Sequence, residues 1–484
     1  MMGLLCVGSA SALPAQNVRN AADPVVDTLV LRAHTRFLAD DALEGRGTGT
    51  RGERAAAAYI ASVLLRLGLH GLGPDGDYLL PIPMRAAEID PATRVTVRGE
   101  QTAQDFVHGR DFVVNTGGPE AFRDFSGPVV VAGPPAAAAD ALRGRELAGR
   151  VVAVAGPLGV HALQLVPAWR QSGVTGIVVL VPDPEQFGLY VRSRGDTRFM
   201  VAADVDDPVW QPALPVLIAG PSLSAALLRS GTRTANGAAV ETNLSLEAIV
   251  AVRERQVPAA NVGAILYGSD PALRDEVVVY TAHYDHLGIS APDATGDSIY
   301  NGFSDDAAGV AMLLAMAEAI AVAPPARSIA FLFFTGEERG LLGSSYFAAE
   351  PPFPLERVRA LINLDAGAPP APPVSWRIAG GTESPLGLVA QHVAQERGWT
   401  VQLGAASPNS DYWPFLRRGV PALFLIPGDV WENTAPEQRD ALRRRWDRYH
   451  QAGDHYDDAF PFSGLQRYAD FALTLGLRVA NDGH

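Results

Sequence analysis

Three short apolar runs, each leading into residues that can hold a metal, constrain this chain more than any other feature. Val277-Val278-Val279-Tyr280-Thr281-Ala282 runs into His283-Tyr284-Asp285; Phe331-Leu332-Phe333-Phe334-Thr335-Gly336 delivers Glu337-Glu338; and Ala360-Leu361-Ile362-Asn363-Leu364 ends on Asp365. The runs are short, β-branched or aromatic and bounded by turn residues, so they read as buried strands rather than helix faces. Between the first two, residues 307–322 form a helix-favouring stretch closed by Pro324-Pro325, with Asp305 and Asp306 where a helix N-terminus favours carboxylates. Strand, loop, helix, strand is the grammar of an α/β fold. In open α/β sheets the ligand site lies beyond the carboxyl ends of the strands, where His283, Glu338 and Asp365 fall.

The residue types suit a paired-metal hydrolytic site. Where thiolates are absent zinc takes imidazole nitrogen and carboxylate oxygen, and two ions sharing one site need a bridging carboxylate with ligands on either side. His283, Asp305, Glu338 and Asp365 supply one nitrogen and three carboxylates. A second imidazole has a candidate in His450, within Arg448-Tyr449-His450-Gln451-Ala452-Gly453-Asp454 and preceded by a further strand over 422–426. Asp285, two residues past His283, is suited to orient that imidazole. Glu337, beside Glu338 and with no need to bind metal, is the natural general base. His286 is expected to point away from His283, as a residue behind the ligands or at the surface.

These segments, with Ala308-Gly309 following Asp305, resemble in order the motifs of the co-catalytic zinc aminopeptidases, a metallopeptidase family that also includes glutamate carboxypeptidase and plasma-type carboxypeptidases. The resemblance covers the region from Asn261 to about Asp458 and implies the zinc exopeptidase fold, a mixed, mostly parallel sheet flanked by helices, with two zinc ions. It makes Asp305 the bridge, puts His283 and Asp365 on one metal and Glu338 and His450 on the other, and assigns Glu337 as the base. Ser304 stands where many relatives carry Asp, Ala308 replaces the usual Ser, and Gly453 departs from the commoner Ser or Asn; His455 is a near neighbour of His450. The implied activity is exopeptidase hydrolysis of a peptide with a free terminus, with aminopeptidase action the commoner form. Carboxypeptidase or dipeptidase action, a catalytically inactive receptor-like or structural role, and single-zinc amide cyclisation are the alternatives. The segment Ser410-Asp411-Tyr412-Trp413-Pro414-Phe415 is similar to the family stretch beside the substrate pocket, which makes Asp411 and Tyr412 pocket candidates while Trp413 and Phe415 are expected to pack under the sheet.

With 484 residues the chain exceeds one typical domain. Residues 1–16 resemble a secretory signal lacking its basic start; 24–105 and 254–484 are assigned to the catalytic domain, and 106–253 to an insert. That insert is rich in short strands and poor in metal-binding residue types. Its segments 147–152 and 168–176 are similar to the protease-associated domain, and a cap over the cleft or a plain spacer are both open. The resemblance to an export signal makes the protein periplasmic or secreted, and cleavage would remove Cys6, the sole thiol. Net charge is -14, which argues against nucleic acid or an anionic membrane as partner; the absence of Lys marks a compositional bias. No stretch elsewhere is apolar for long enough to span a bilayer. The glycine-rich turn Gly45-Arg46-Gly47-Thr48-Gly49 breaks a helical region and lacks the preceding strand and the Lys of a phosphate loop. His34, His70, His108, His161 and His392 are expected to be ordinary core residues, and the loop 368–373 to lie on the surface.

Overall fold

The computed structural model describes residues 25–482 apart from 116–121, 134–141, 143, 156–165, 194–196, 202–213 and 229–239. The export-signal segment, Cys6 and His161 lie outside the described residues. A ten-stranded mixed sheet has at its centre the strand Val277–His283, flanked in parallel by Val358–Asn363 and Ser328–Phe334. Ala422–Pro427 continues the parallel set, followed by Ser375–Ala379 and Thr400–Gly404; on the other side lie Val252–Leu266, Leu79–Ile89 and Thr197–Val201.

Why the central strands are apolar without alternation is visible in their two cores. Val278, Tyr280 and Ala282, with Phe331, Phe333, Ala360 and Ile362, face the helices Thr28–Leu38, Arg51–Arg66, Ala308–Ile320 and Ser463–Asn481. Their neighbours Val277, Val279, Leu332, Phe334 and Leu361 face Phe347 and Phe415 on the opposite side. Both faces are therefore buried, as a parallel sheet requires. Register fixes the rest: His283 lies beside Phe334 and Thr281 beside Asn363, so the three strands end almost level and their loops emerge at one edge.

A second sheet of eight strands has its own two cores. Its strands fall between Arg94 and Ile249, so Arg94–Arg98 and Ala103–Val107 join it ahead of residue 106. One strand from within this stretch, Thr197–Val201, leaves it to pair with Leu79–Ile89 at the edge of the large sheet. The loop after Asp365 is not a surface loop as expected: Pro369, Pro370 and Pro373 are buried, and the backbone packs closely on Gly464 of the last helix. Of the four described lone histidines, His34 is buried, whereas His70 is exposed and His392 pairs with Glu396 on a helix surface. No helix among the described residues is long and apolar enough to cross a membrane.

Candidate metal centre

The strand ends bring two sets of side chains together around one carboxylate. His283, Asp305 and Asp365 form one set; His286, Asp305, Glu338 and His450 form the other, and Asp305 belongs to both. His283 Nε2 is 3.1 Å from Asp305 Oδ1 and 3.2 Å from Asp365 Oδ1. On the far side His450 Nε2 lies 2.9 Å from Asp305 Oδ2 and 3.3 Å from Glu338 Oε2. His455 is exposed and takes no part.

Of the two places expected for His286, the structure gives the one behind the ligands, against Glu338, and not the surface. It is fully buried, with Nδ1 2.7 Å from Glu338 Oε1 and 3.7 Å from Asp305 Oδ2. Alternation of side chains holds only inside a strand, and this strand stops at His283, after which the chain turns and carries His286 back to the cluster.

The cluster is held from behind by buried hydrogen bonds. Thr281 Oγ1 donates to Asn363 Oδ1 at 2.6 Å, Asn363 Nδ2 donates to Ser410 Oγ at 2.6 Å, and Ser410 Oγ donates to Asp365 Oδ2. The imidazole of His283 is steadied by Asp285 through that residue's backbone carbonyl, 3.1 Å from Nδ1, with the carboxylate further off at 3.7 Å. Asp306 caps the helix Ala308–Ile320 by accepting from Gly309 N at 3.0 Å, leaving Asp305 to the imidazoles. Ser304, where relatives have an acid, donates its hydroxyl to the buried Asp454 at 2.8 Å and so ties the Asp305 loop to the His450 loop.

Electrostatics follow from packing acids among imidazoles. Burial alone would raise the Glu338 carboxyl, but hydrogen bonds from His286 and His450 pull it down to about 2. Burial opposes protonation of His450, yet the close carboxylates of Asp305 and Glu338 raise it to about 10. Glu337 is half-buried in the chain fold; burial of its carboxyl pushes it well up, Asp365, Asp411 and Glu338 add to the rise, and His283 opposes it. Asp411 is buried, and burial raises it to about 7, with Asp365 and Asp285 adding while His283 and the Ser344 side chain oppose. Tyr412 instead hydrogen-bonds Ser407 through its hydroxyl and packs tilted against Phe424, so its contacts are structural. The open side of the cluster is at His450, whose side chain is 36% exposed and stacked on the exposed Tyr449.

The donor set fits paired divalent cations. Imidazole nitrogens and carboxylate oxygens converge with no thiolate, and the buried Asp305 Oδ2 faces His450 and His286 without a hydrogen bond. Such groups are costly to bury unpaired and are satisfied by a cation.

Comparison with known proteins agrees with this geometry. Residues 261–475 match the sequence profile of peptidase family M28. The matched segment, less than half of the chain, is similar to that family. Curated relatives include a probable zinc metalloprotease of Pyrenophora tritici-repentis, 29% identical over 194 residues, which are 40% of this chain and 42% of that protein. Aminopeptidase YwaD of Bacillus subtilis is 26% identical over 195 residues, 37% of this chain and 39% of the relative. The chain thus spans about two-fifths of the length of these curated relatives. Among solved structures, the aminopeptidase from Aneurinibacillus sp. strain AM-1 superposes with a TM-score of 0.57 at 17% identity, covering 95% of both chains. The zinc aminopeptidase BSAP of Bacillus subtilis gives 0.52 at 18% identity, over 95% of this chain and 97% of that one. At those identities the likeness is one of fold, and it runs nearly the whole chain.

Proposed function

We propose that this protein is a zinc-dependent exopeptidase that releases N-terminal residues from peptides. The observation that carries the reading is the sharing of Asp305 between two converging donor sets with Glu337 beside them. In this reading His283 and Asp365 would hold one zinc, Glu338 and His450 the other, and Asp305 both, with His286 supporting Glu338 at 2.7 Å. Bound zinc would supply Lewis-acid polarisation of the scissile carbonyl and acidify the attacking water.

The chain's own groups do the rest. Glu337 accepts the proton of the attacking water on its carboxylate and hands it to the departing amine. Its backbone N–H is fixed on Asp285 Oδ1 at 3.1 Å, which keeps the base beside the cluster. Asp285 holds His283, and Ser410 holds Asp365, so neither can rotate away from Asp305. Asp411 borders the site as a buried acid and Tyr412 packs behind it. The second sheet is assigned as a protease-associated-type insert and the protein as exported, both on the resemblance of their segments.

The test is hydrolysis of a peptide panel. Aminoacyl substrates with free N-termini should be cleaved and their N-blocked counterparts spared, with cleavage abolished by a chelator and restored by zinc. Cleavage of N-blocked peptides from the carboxyl end would reassign the protein as a carboxypeptidase, and inactivity across the panel with zinc supplied would remove the enzyme reading.

A further inference from the structure

Residues 45–53 lie outside the segment matched to family M28 and contribute nothing to either donor set, yet they grip the loops that do. Arg46 is 1% exposed and spends its guanidinium on backbone carbonyls. Nε donates to Tyr284 O at 2.9 Å, Nη1 to Asn301 O at 2.6 Å and to Leu38 O, and Nη2 to Gly302 O at 3.0 Å. The carbonyl of Arg46 accepts in turn from His286 N at 3.0 Å. One side chain thereby ties the loop after His283 to the loop before Asp305. A planar fork with donors on three nitrogens can span those carbonyls; an ammonium cannot. The approach is close enough that at Gly45, with φ of +64°, a Cβ would stand 2.3 Å from Tyr300 O.

Thr48 makes the more specific contact. Its Oγ1 donates to Asp285 Oδ2 at 2.7 Å, while Asp285 Oδ1 accepts from Glu337 N at 3.1 Å and the Asp285 carbonyl meets His283 Nδ1 at 3.1 Å. Further along, Glu53 accepts from Gly49 N at 2.5 Å and from Thr335 Oγ1, reaching the third loop just before Glu337. We propose that the turn 45–49 is a brace for the metal centre, with Arg46 and Thr48 as positioning residues for His283, Asp305 and Glu337. The proposal rests on the metallopeptidase reading for its effect on zinc, and on hydrogen bonding alone for its effect on the protein.

Thr48→Val keeps the shape and removes the donor, whereas Thr48→Ser keeps the donor. Two quantities are measured: amide exchange at Glu337 in metal-free protein, and zinc affinity by competition with a chelator. In Thr48→Val the Glu337 amide should exchange about tenfold faster while amides of Val277–His283 keep their rates. Zinc affinity should fall about 10- to 100-fold, and Thr48→Ser should restore both values. Arg46→Lys should weaken zinc binding in the same range; if it fails to fold, the Thr48 pair decides. Wild-type exchange and wild-type affinity in Thr48→Val, with only a lowered melting temperature, would overturn the brace. If the wild type itself takes up no zinc, the function reading fails and the exchange comparison alone decides: unchanged Glu337 protection in Thr48→Val overturns the brace, and lost protection upholds it.

Discussion

Each acid at the end of a strand has an imidazole within reach, and what these side chains do depends on which lone pairs are already occupied. Glu337 has its backbone pinned and its carboxylate uncommitted to any imidazole, so Glu337→Gln should keep zinc uptake at the wild-type level and lower kcat by about 10²- to 10⁴-fold, read by metal analysis beside steady-state kinetics. Glu338 is different: Oε1 is committed to His286 and Oε2 faces His450. Removing that support in His286→Ala should weaken zinc binding by about 10- to 100-fold in a chelator competition, with the fold intact by circular dichroism. The strand-end residues His283, Glu338 and Asp365 were legible in the sequence because a buried apolar run stops at each, and a polar residue at such a stop has few structural reasons to be there. His286 was legible only to within two places, and Arg46, Thr48 and Glu53 were not legible at all. They sit in turns, where periodicity says nothing about direction, and the one visible signal was an Arg set between glycines in a turn with no other evident purpose.

Between elements, the pair of N-terminal helices is joined by a buried imidazole. His34 of Thr28–Leu38 meets the Tyr59 hydroxyl of Arg51–Arg66 at 2.8 Å, and its Nε2 is buried without a partner. Burial lowers its pKa to about 4 from an ordinary 6.5, with Glu318 opposing and Arg66 adding to the fall. A base whose folded pKa is lowered favours the fold while neutral, so its contribution is complete above pH 6.5 and is lost as pH falls from there through 4, a total of about 3 kcal/mol. Urea midpoints measured between pH 7.5 and 4 should therefore slope less in His34→Gln than in the wild type. Elements themselves were well marked: the expected helix over 307–322 is Ala308–Ile320, and the four expected strands of the catalytic half all form. Partnerships were not. Thr197–Val201 carries an ordinary strand pattern, and nothing local records that its partner is Leu79–Ile89 in the other sheet.

At the scale of the whole molecule, that strand is how the second sheet is fastened to the first. Phe199 packs with Met84 and Val257 and lies under the Arg339 guanidinium, 5.3 Å from ring centre, next to the loop of Glu337 and Glu338. Ile89 and Val252 are paired neighbours, so excising 94–249 and closing the gap is sterically simple. The excised chain would leave Leu79–Ile89 as an unpaired edge, and we expect it to self-associate by light scattering at concentrations where the intact chain does not. The fold class could be argued from the sequence because parallel strands buried on both faces leave an apolar signature; the start of the second sheet at Arg94 could not, because its first strands alternate and look like any surface hairpin. The central claim, two metal sites sharing Asp305, is tested most directly by counting zinc bound per chain by mass spectrometry after reconstitution and exchange into metal-free buffer. Two zinc per wild-type chain, with loss of both in Asp305→Ala, is the predicted result; a wild type holding one zinc or none would contradict it.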